Sequence, residues 1–318
     1  MMEPWRTLLI IVVILIVLVI LGGMLTWVER RLLGIWQDRL GPNRAGPFGF
    51  FQWVADVLKI LTKEDWVPRF ADKWVFILAP AIMLIAVVMS FAVIVYAPGI
   101  FVADLNIGLL FFLAMSSMTV YGVALGGWAS NNKYALIGTL RAVGQMVSYE
   151  VFMGLSLMGV VIMAGSFSLG DIVRAQKGMW YCVPQVVGLV IFLIAGLAET
   201  RRIPFDLPEA DAEIVAGFHT EYSGMKFALF FLSEYIGMTL ISALIVVLFF
   251  GGWLGPWLPP FLWFVVKTAL LIVFFILVRG ALPRYRYDQL MSIGWKVLLP
   301  LTLLNLVVTG GVVLAVGK

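Results

Sequence analysis

Residues 5–31 read WRTLLIIVVILIVLVILGGMLTWVERR, and this stretch decides the fold. From Leu8 to Val28 it holds no charged residue, and about twenty apolar residues are what a helix needs to cross the hydrocarbon core of a bilayer. The run closes on Trp27-Val28-Glu29-Arg30-Arg31, an aromatic and basic anchor suited to the inner membrane interface. It is too long for a cleaved signal peptide and lacks a small-residue cleavage site, so it is expected to remain as a span.

Taking the first span as 5–27 and working outward, comparable windows occur at 75–97, 106–128, 148–165, 184–199, 227–250, 261–280 and 297–316, the fifth span of the chain (184–199) being short. The composition agrees. The chain is 62% hydrophobic and only 13% charged, whereas soluble domains carry about 25% charged residues. Its mean hydropathy is +1.03. The expected fold class is all-α, a polytopic integral membrane protein with eight transmembrane helices in one membrane domain over residues 1–318. No tandem repeat or low-complexity tract is visible.

Lysine and arginine orient it. Loop 28–74 holds Arg30, Arg31, Arg39, Arg44, Lys59, Lys63, Arg69 and Lys73, and loop 129–147 holds Lys133 and Arg141. Loop 200–226 holds Arg201, Arg202 and Lys226, and loop 281–296 holds Arg284, Arg286 and Lys296, just after Arg279. The intervening loops hold only Arg174 and Lys177. The positive-inside rule therefore puts the four basic loops in the cytoplasm and both termini outside.

Scarcity excludes several chemistries. A single cysteine, Cys182, permits no disulfide within the chain and no CxxC pair, and a single histidine, His219, permits no bis-His haem. Any redox centre must sit on another protein. Cys182 reads as a structural thiol.

The basic loops carry organisation of their own. From Phe50 to Lys63, the polar residues Gln52, Asp56, Lys59 and Lys63 step by four, three and four, so they share one stripe of a helix whose remaining surface is apolar. Such a helix lies in the interface rather than spanning it, either as a plain anchor or with Asp56 and Lys59 facing a cavity. Before it, Arg39-Leu40-Gly41-Pro42-Asn43-Arg44-Ala45-Gly46-Pro47 predicts fixed backbone bends.

Ionisable residues also fall within spans or at their ends: Glu29, Glu150, Glu199, Glu234 and Lys267. A charge at such depth needs a partner or a water-filled cavity, and intramembrane acids commonly mark proton pathways. Lys267 reads as a structural partner for Glu150 or Glu234, or as a group with a role of its own. His219 reads as structurally satisfied, with proton carriage as its alternative. In loop 200–226, Asp206, Glu209 and Glu213 step by three and four and would share a face if helical. Clustered carboxylates titrate together and suit a proton relay, and a solvated acidic loop is the plainer reading.

These segments resemble the H-subunit family of the proton-pumping NADH:quinone oxidoreductase (respiratory complex I), which includes the mitochondrially encoded ND-one protein. The resemblance rests on Glu29-Arg30-Arg31 with Arg39 to Pro47, on Asp56 to Asp65, and on Ser148-Tyr149-Glu150. It continues through Glu199 to Lys226, including Glu221-Tyr222-Ser223-Gly224-Met225-Lys226, and ends with Leu282 to Lys296. Ala129-Ser130-Asn131-Asn132-Lys133-Tyr134 suggests a bacterial member; with the orientation of the basic loops, this implies an inner-membrane protein with both termini periplasmic.

The resemblance implies tilted helices, no bound redox cofactor or metal, no catalytic side chain and no activity alone. It implies a chamber for the quinone headgroup shared with peripheral-arm Fe–S subunits, with FMN on a further partner and antiporter-like membrane subunits beside it. Nucleic acid is not an expected partner. Glu150, Glu199, Glu209, Asp211, Glu213, Glu221 and Glu234 are the acids it implies as the proton route. Glu29, Arg30, Asp56, Arg202 and Phe205 are implied near the chamber or its access opening. Arg201 stands where a small polar residue is expected, and Asp211 where glutamate is usual. Replacing Glu150 or Glu213 with Gln is expected to impair quinone reduction or pumping while the complex assembles. The alternatives are the homologous membrane subunit of an energy-converting hydrogenase or related dehydrogenase, and a stand-alone ion transporter. The latter should show repeats or broken helices in matching halves.

Overall fold

The computed structural model describes residues 4–207 and 215–316. Among these, every regular element is helical apart from an isolated bridge between Ala97 and Ile100. The chain runs through α1 (Pro4–Trp36), α2 (Gln52–Thr62), α3 (Lys73–Ser90), α4 (Gly108–Ala129), α5 (Lys133–Ala164) and α6 (Leu169–Ala175). It continues through α7 (Val186–Glu199), α8 (Gly224–Phe249), α9 (Pro260–Ala281), α10 (Tyr287–Ile293), a π turn (Gly294–Leu298) and α11 (Leu299–Val316).

Among the described residues, seven helical segments are long and apolar enough to cross a membrane, and α7 is apolar but has only 14 residues. At 1.5 Å per residue α7 spans roughly 21 Å, less than the hydrocarbon core of roughly 30 Å. Most of the segment before it, including Lys177 to Trp180, Val183 and Pro184, is exposed, and two buried glutamines, Gln176 and Gln185, tie it to the neighbouring helices. Gln176 donates to the Val247 carbonyl at 2.9 Å and accepts from the amides of Tyr181 (3.2 Å) and Gly251 (3.0 Å). Gln185 bonds Thr309 (2.7 Å) and Asn305 (2.9 Å) on α11. Irregular backbone at membrane depth is tolerated where protein partners replace water in this way.

Two elements differ from expectation. Residues 133–147, expected as most of a cytoplasmic loop, form the first half of α5, whose Asn132 cap accepts from the Tyr134 amide. Ala135, Gly138, Thr139, Ala142, Met146 and Tyr149 are buried at helical spacing. Lys133, Arg141 and Gln145 lower the hydropathy enough to hide this helix from a window scan. Similarly, α1 runs nine residues past its expected end at 27, to Trp36, because nothing before Asp38 (φ 49°) breaks it.

The packing is layered around α8, with 78% of its apolar window buried against 17% for α1 and 22% for the last span. The outermost helices thus face lipid or neighbouring subunits. The close pair is α3 with α4, where Gly122 is required: a Cβ there would lie 3.0 Å from the Met83 amide nitrogen and 3.1 Å from the Ala79 carbonyl. Small residues at such crossings let backbones approach and gain van der Waals contact, the main attraction available between helices in lipid.

Candidate proton and quinone site

The loop after α7 turns back into the protein instead of leaving it. Thr200, Arg201 and Arg202 are all buried, and Gln145 on α5 holds the turn by donating to the carbonyls of Ala198 and Phe205, both at 2.8 Å. This carries Arg202 to the centre of a charge cluster. Its side chain is 1% exposed; Nη1 donates to Glu29 Oε2 on α1 at 2.8 Å, and Nε lies 3.2 Å from Glu234 Oε1 on α8. The second contact is an ion pair without hydrogen-bond alignment. Arg279 on α9 donates to the other oxygen of Glu29, and the Arg202 guanidinium lies over the Tyr235 ring, 4.4 Å from its centroid. Two carboxylates and two guanidiniums balance, which is the condition for keeping ions in a low-dielectric interior.

Phe205 packs beside this cluster, with ring centroids 5.7 Å from Tyr149 and 6.1 Å from Tyr285. Asp206 is paired with Arg284 at 3.1 Å while its second oxygen is buried without a hydrogen bond. Burial pushes its carboxyl up to about 6; Arg284 pulls the other way, and Glu234 pushes it further up. The helix expected to put Asp206 on one face with Glu209 and Glu213 has not begun by Leu207. Glu209, Asp211 and Glu213 lie outside the described residues.

Glu150 and Glu199 meet on α4. Ser116 (3.2 Å) and Ser117 donate to Glu150, and Thr119, one turn on, donates to Glu199 at 3.3 Å. The second oxygen of Glu199 is buried without a bond and borders a cavity of about 40 Å³ that extends to Glu234. At roughly 10–15 Å³ per water centre, the cavity has room for about three waters; its walls are mainly apolar, with Glu199, Arg201 and Glu234 as its charged groups.

On α2, Asp56 accepts from Arg30 on α1 and from Gln52 (3.1 Å), so the polar stripe meets α1 at Asp56. Among the described residues, no side chain of α2 is buried. Gly49 makes the bend before it, at φ 71°, where a Cβ would strike the Pro42 carbonyl. Glu221 accepts from Asn132 at 2.6 Å. Desolvation pushes His219 down to about 4, and Arg201 adds to the effect.

Lys267 partners neither Glu150 nor Glu234. Its ammonium donates to the carbonyls of Phe250 (2.7 Å), Gly252 (3.1 Å) and Leu254 (2.6 Å) and lies 4.3 Å from the centre of the Trp180 ring. Three donors meet three acceptors, so its role is to close the loop after α8.

Sequence reading missed Arg279, the Asp206–Arg284 pair and the hydroxyls of α4. The signal for the last was present, since Ser116-Ser117-Met118-Thr119 is a polar interruption inside an apolar span. Arg279 and Arg284 were counted only as topology markers, and their partners lie far away in the chain.

A profile of the family described as NADH dehydrogenase matches residues 8–310. The H subunit of the NADH-quinone oxidoreductase of Methylococcus capsulatus is 62% identical over 298 residues, covering 93% of this chain and 94% of that protein. The length and the closeness of the match, over a helical membrane fold with clustered buried acids, decide the matter: this chain belongs to the H-subunit family of NADH-quinone oxidoreductase, a membrane component of respiratory complex I.

Proposed function

We propose that this chain, in a bacterial inner membrane with both termini periplasmic, builds the quinone chamber together with peripheral Fe–S subunits and carries the first part of the proton route. FMN and the Fe–S clusters sit on partner subunits, antiporter-like subunits continue the route in the membrane, and the chain has no activity alone. Glu29, Arg30, Asp56, Arg202 and Phe205 lie at or near the chamber and its opening. Glu234, Glu199 and Glu150 lead away from it, with Glu209, Asp211, Glu213 and Glu221 on the cytoplasmic side.

The carrying observation is the cavity joining Glu234 to Glu199, which in turn meets Glu150 across the α4 hydroxyls. Reduction of a quinone to quinol takes up two protons and changes the charge demand at the cytoplasmic acids. Coupled carboxylates pass such a change along as a shift in protonation. The apolar face of α2, with Val57, Leu58 and Leu61 exposed, suits the lip of an opening for a lipid-soluble substrate.

The test is Glu199→Gln, alongside Glu150→Gln, in the assembled complex. Each variant is expected to lower coupled NADH:quinone turnover by at least about tenfold, since one positioned proton-transfer group is commonly worth that much or more. Full coupled turnover in both would remove these acids from the route.

A further inference from the structure

Arg201 is buried in the left-handed backbone region, at φ 53°. Its guanidinium lies 4.9 Å from the centre of the Phe218 ring, and one Nη contacts Met83 Sδ at 3.7 Å. Its Nε and other Nη are buried with no hydrogen-bond partner. Unpaired buried guanidinium donors are costly, so polar atoms are expected beside them.

Space for them exists on two sides. One is the cavity of about 40 Å³ reaching Glu199; the other, of about 60 Å³, is bounded by His219, Phe227, Phe230 and Phe231. Two residues line both cavities, Arg201 and Glu234. One of them cannot give up its proton in a protein, and the other can. Water held by Arg201 would fill both spaces, and water alone would then let a proton run freely in either direction.

We propose that Arg201 is the electrostatic divider of the proton route: its fixed charge repels an excess proton on the water of either cavity, so a proton crosses between them only on Glu234. A fixed arginine excludes protons from narrow aqueous pores by the same physics. The inference rests on the proton route proposed above and adds to it a barrier against return flow.

The test uses the complex reconstituted in proteoliposomes, reading protons moved per electron pair passed to quinone. Arg201→Gln is expected to lower this ratio by at least about twofold through return flow, while Arg201→Lys, which keeps the charge, holds it at the wild-type value. Arg201→Asn is a second neutral variant suited to the left-handed backbone, with the same expected loss as Gln. Wild-type ratios in the neutral variants would overturn the inference, as would an equal loss in the Lys variant, which would assign the effect to shape. Glu234→Gln, measured in parallel, separates the two claims. A full ratio there removes the route itself, whereas a reduced ratio beside unaffected neutral Arg201 variants removes only the divider.

Discussion

At the scale of single residues, Arg202 illustrates how a membrane interior uses charge. Burying Arg202, Glu29 and Glu234 together is no efficient way to gain stability, because desolvation offsets most of the Coulomb attraction. What the cluster supplies is placement: it ties α1, α8 and the loop after α7 to one point, with Arg279 drawing in α9. Asp206, beside it, is held less evenly. Its folded pKa of about 6 lies above the unfolded value of about 3.9, so its contribution to stability is fully present below pH 4 and is lost as pH rises through 6. The shift corresponds to a free energy on the order of 3 kcal/mol. Thermal unfolding of the complex followed from pH 4 to 8 should show wild type losing stability relative to Asp206→Asn across that window. Parallel curves would mean that the carboxyl is not perturbed.

At the scale of elements, α7 is instructive because it is too short. The non-helical segment before it is anchored by buried glutamines: Gln176 bonds the Tyr181 amide and the end of α8, and Gln185 bonds Thr309 and Asn305 on α11. Lys267 closes the C-terminal end of α8, binding three carbonyls that follow Phe249. Cys182 lies alongside, its amide bonded to the Phe249 carbonyl and its thiol pushed up by burial, in keeping with a structural role. Lys267→Met keeps the apolar stem and deletes the donors. A charged hydrogen bond is worth about 1.5–3 kcal/mol, so amide hydrogen exchange at 250–255 should quicken by at least about tenfold while the cytoplasmic loops keep their protection. Unchanged exchange there would make the ammonium dispensable to the loop.

At the scale of the whole molecule, the gradient of burial from α8 outward describes a subunit built to be surrounded. Leu304, Val307, Val308 and Leu314 on α11 are exposed, as are Leu8, Leu9 and Val12 on α1. Such surfaces are at rest only against lipid or apolar partners. The proposed orientation, with the basic loops inside, is open to labelling. Lys177→Cys should react with a membrane-impermeant maleimide added to spheroplasts, and Lys63→Cys should react only once the membrane is opened. The reverse pattern would invert the proposed orientation.

Much of this was legible in the chain itself, for stated reasons. Hydropathy is a local property summed over about twenty residues, so the apolar spans declared themselves. Glu29, Glu150, Glu199 and Glu234 stood out because charge is expensive in lipid and therefore rare there. What each of them touches was not legible. Glu29 meets Arg202 and Arg279 from far along the sequence, Lys267 finds backbone carbonyls rather than an acid, and the first half of α5 hides behind its polar residues. The residues alone thus determined which charges enter the membrane. Only the tertiary structure decided how they are paired, because the partner of a buried charge is set by which helices pack together and not by any property of its neighbours in the chain.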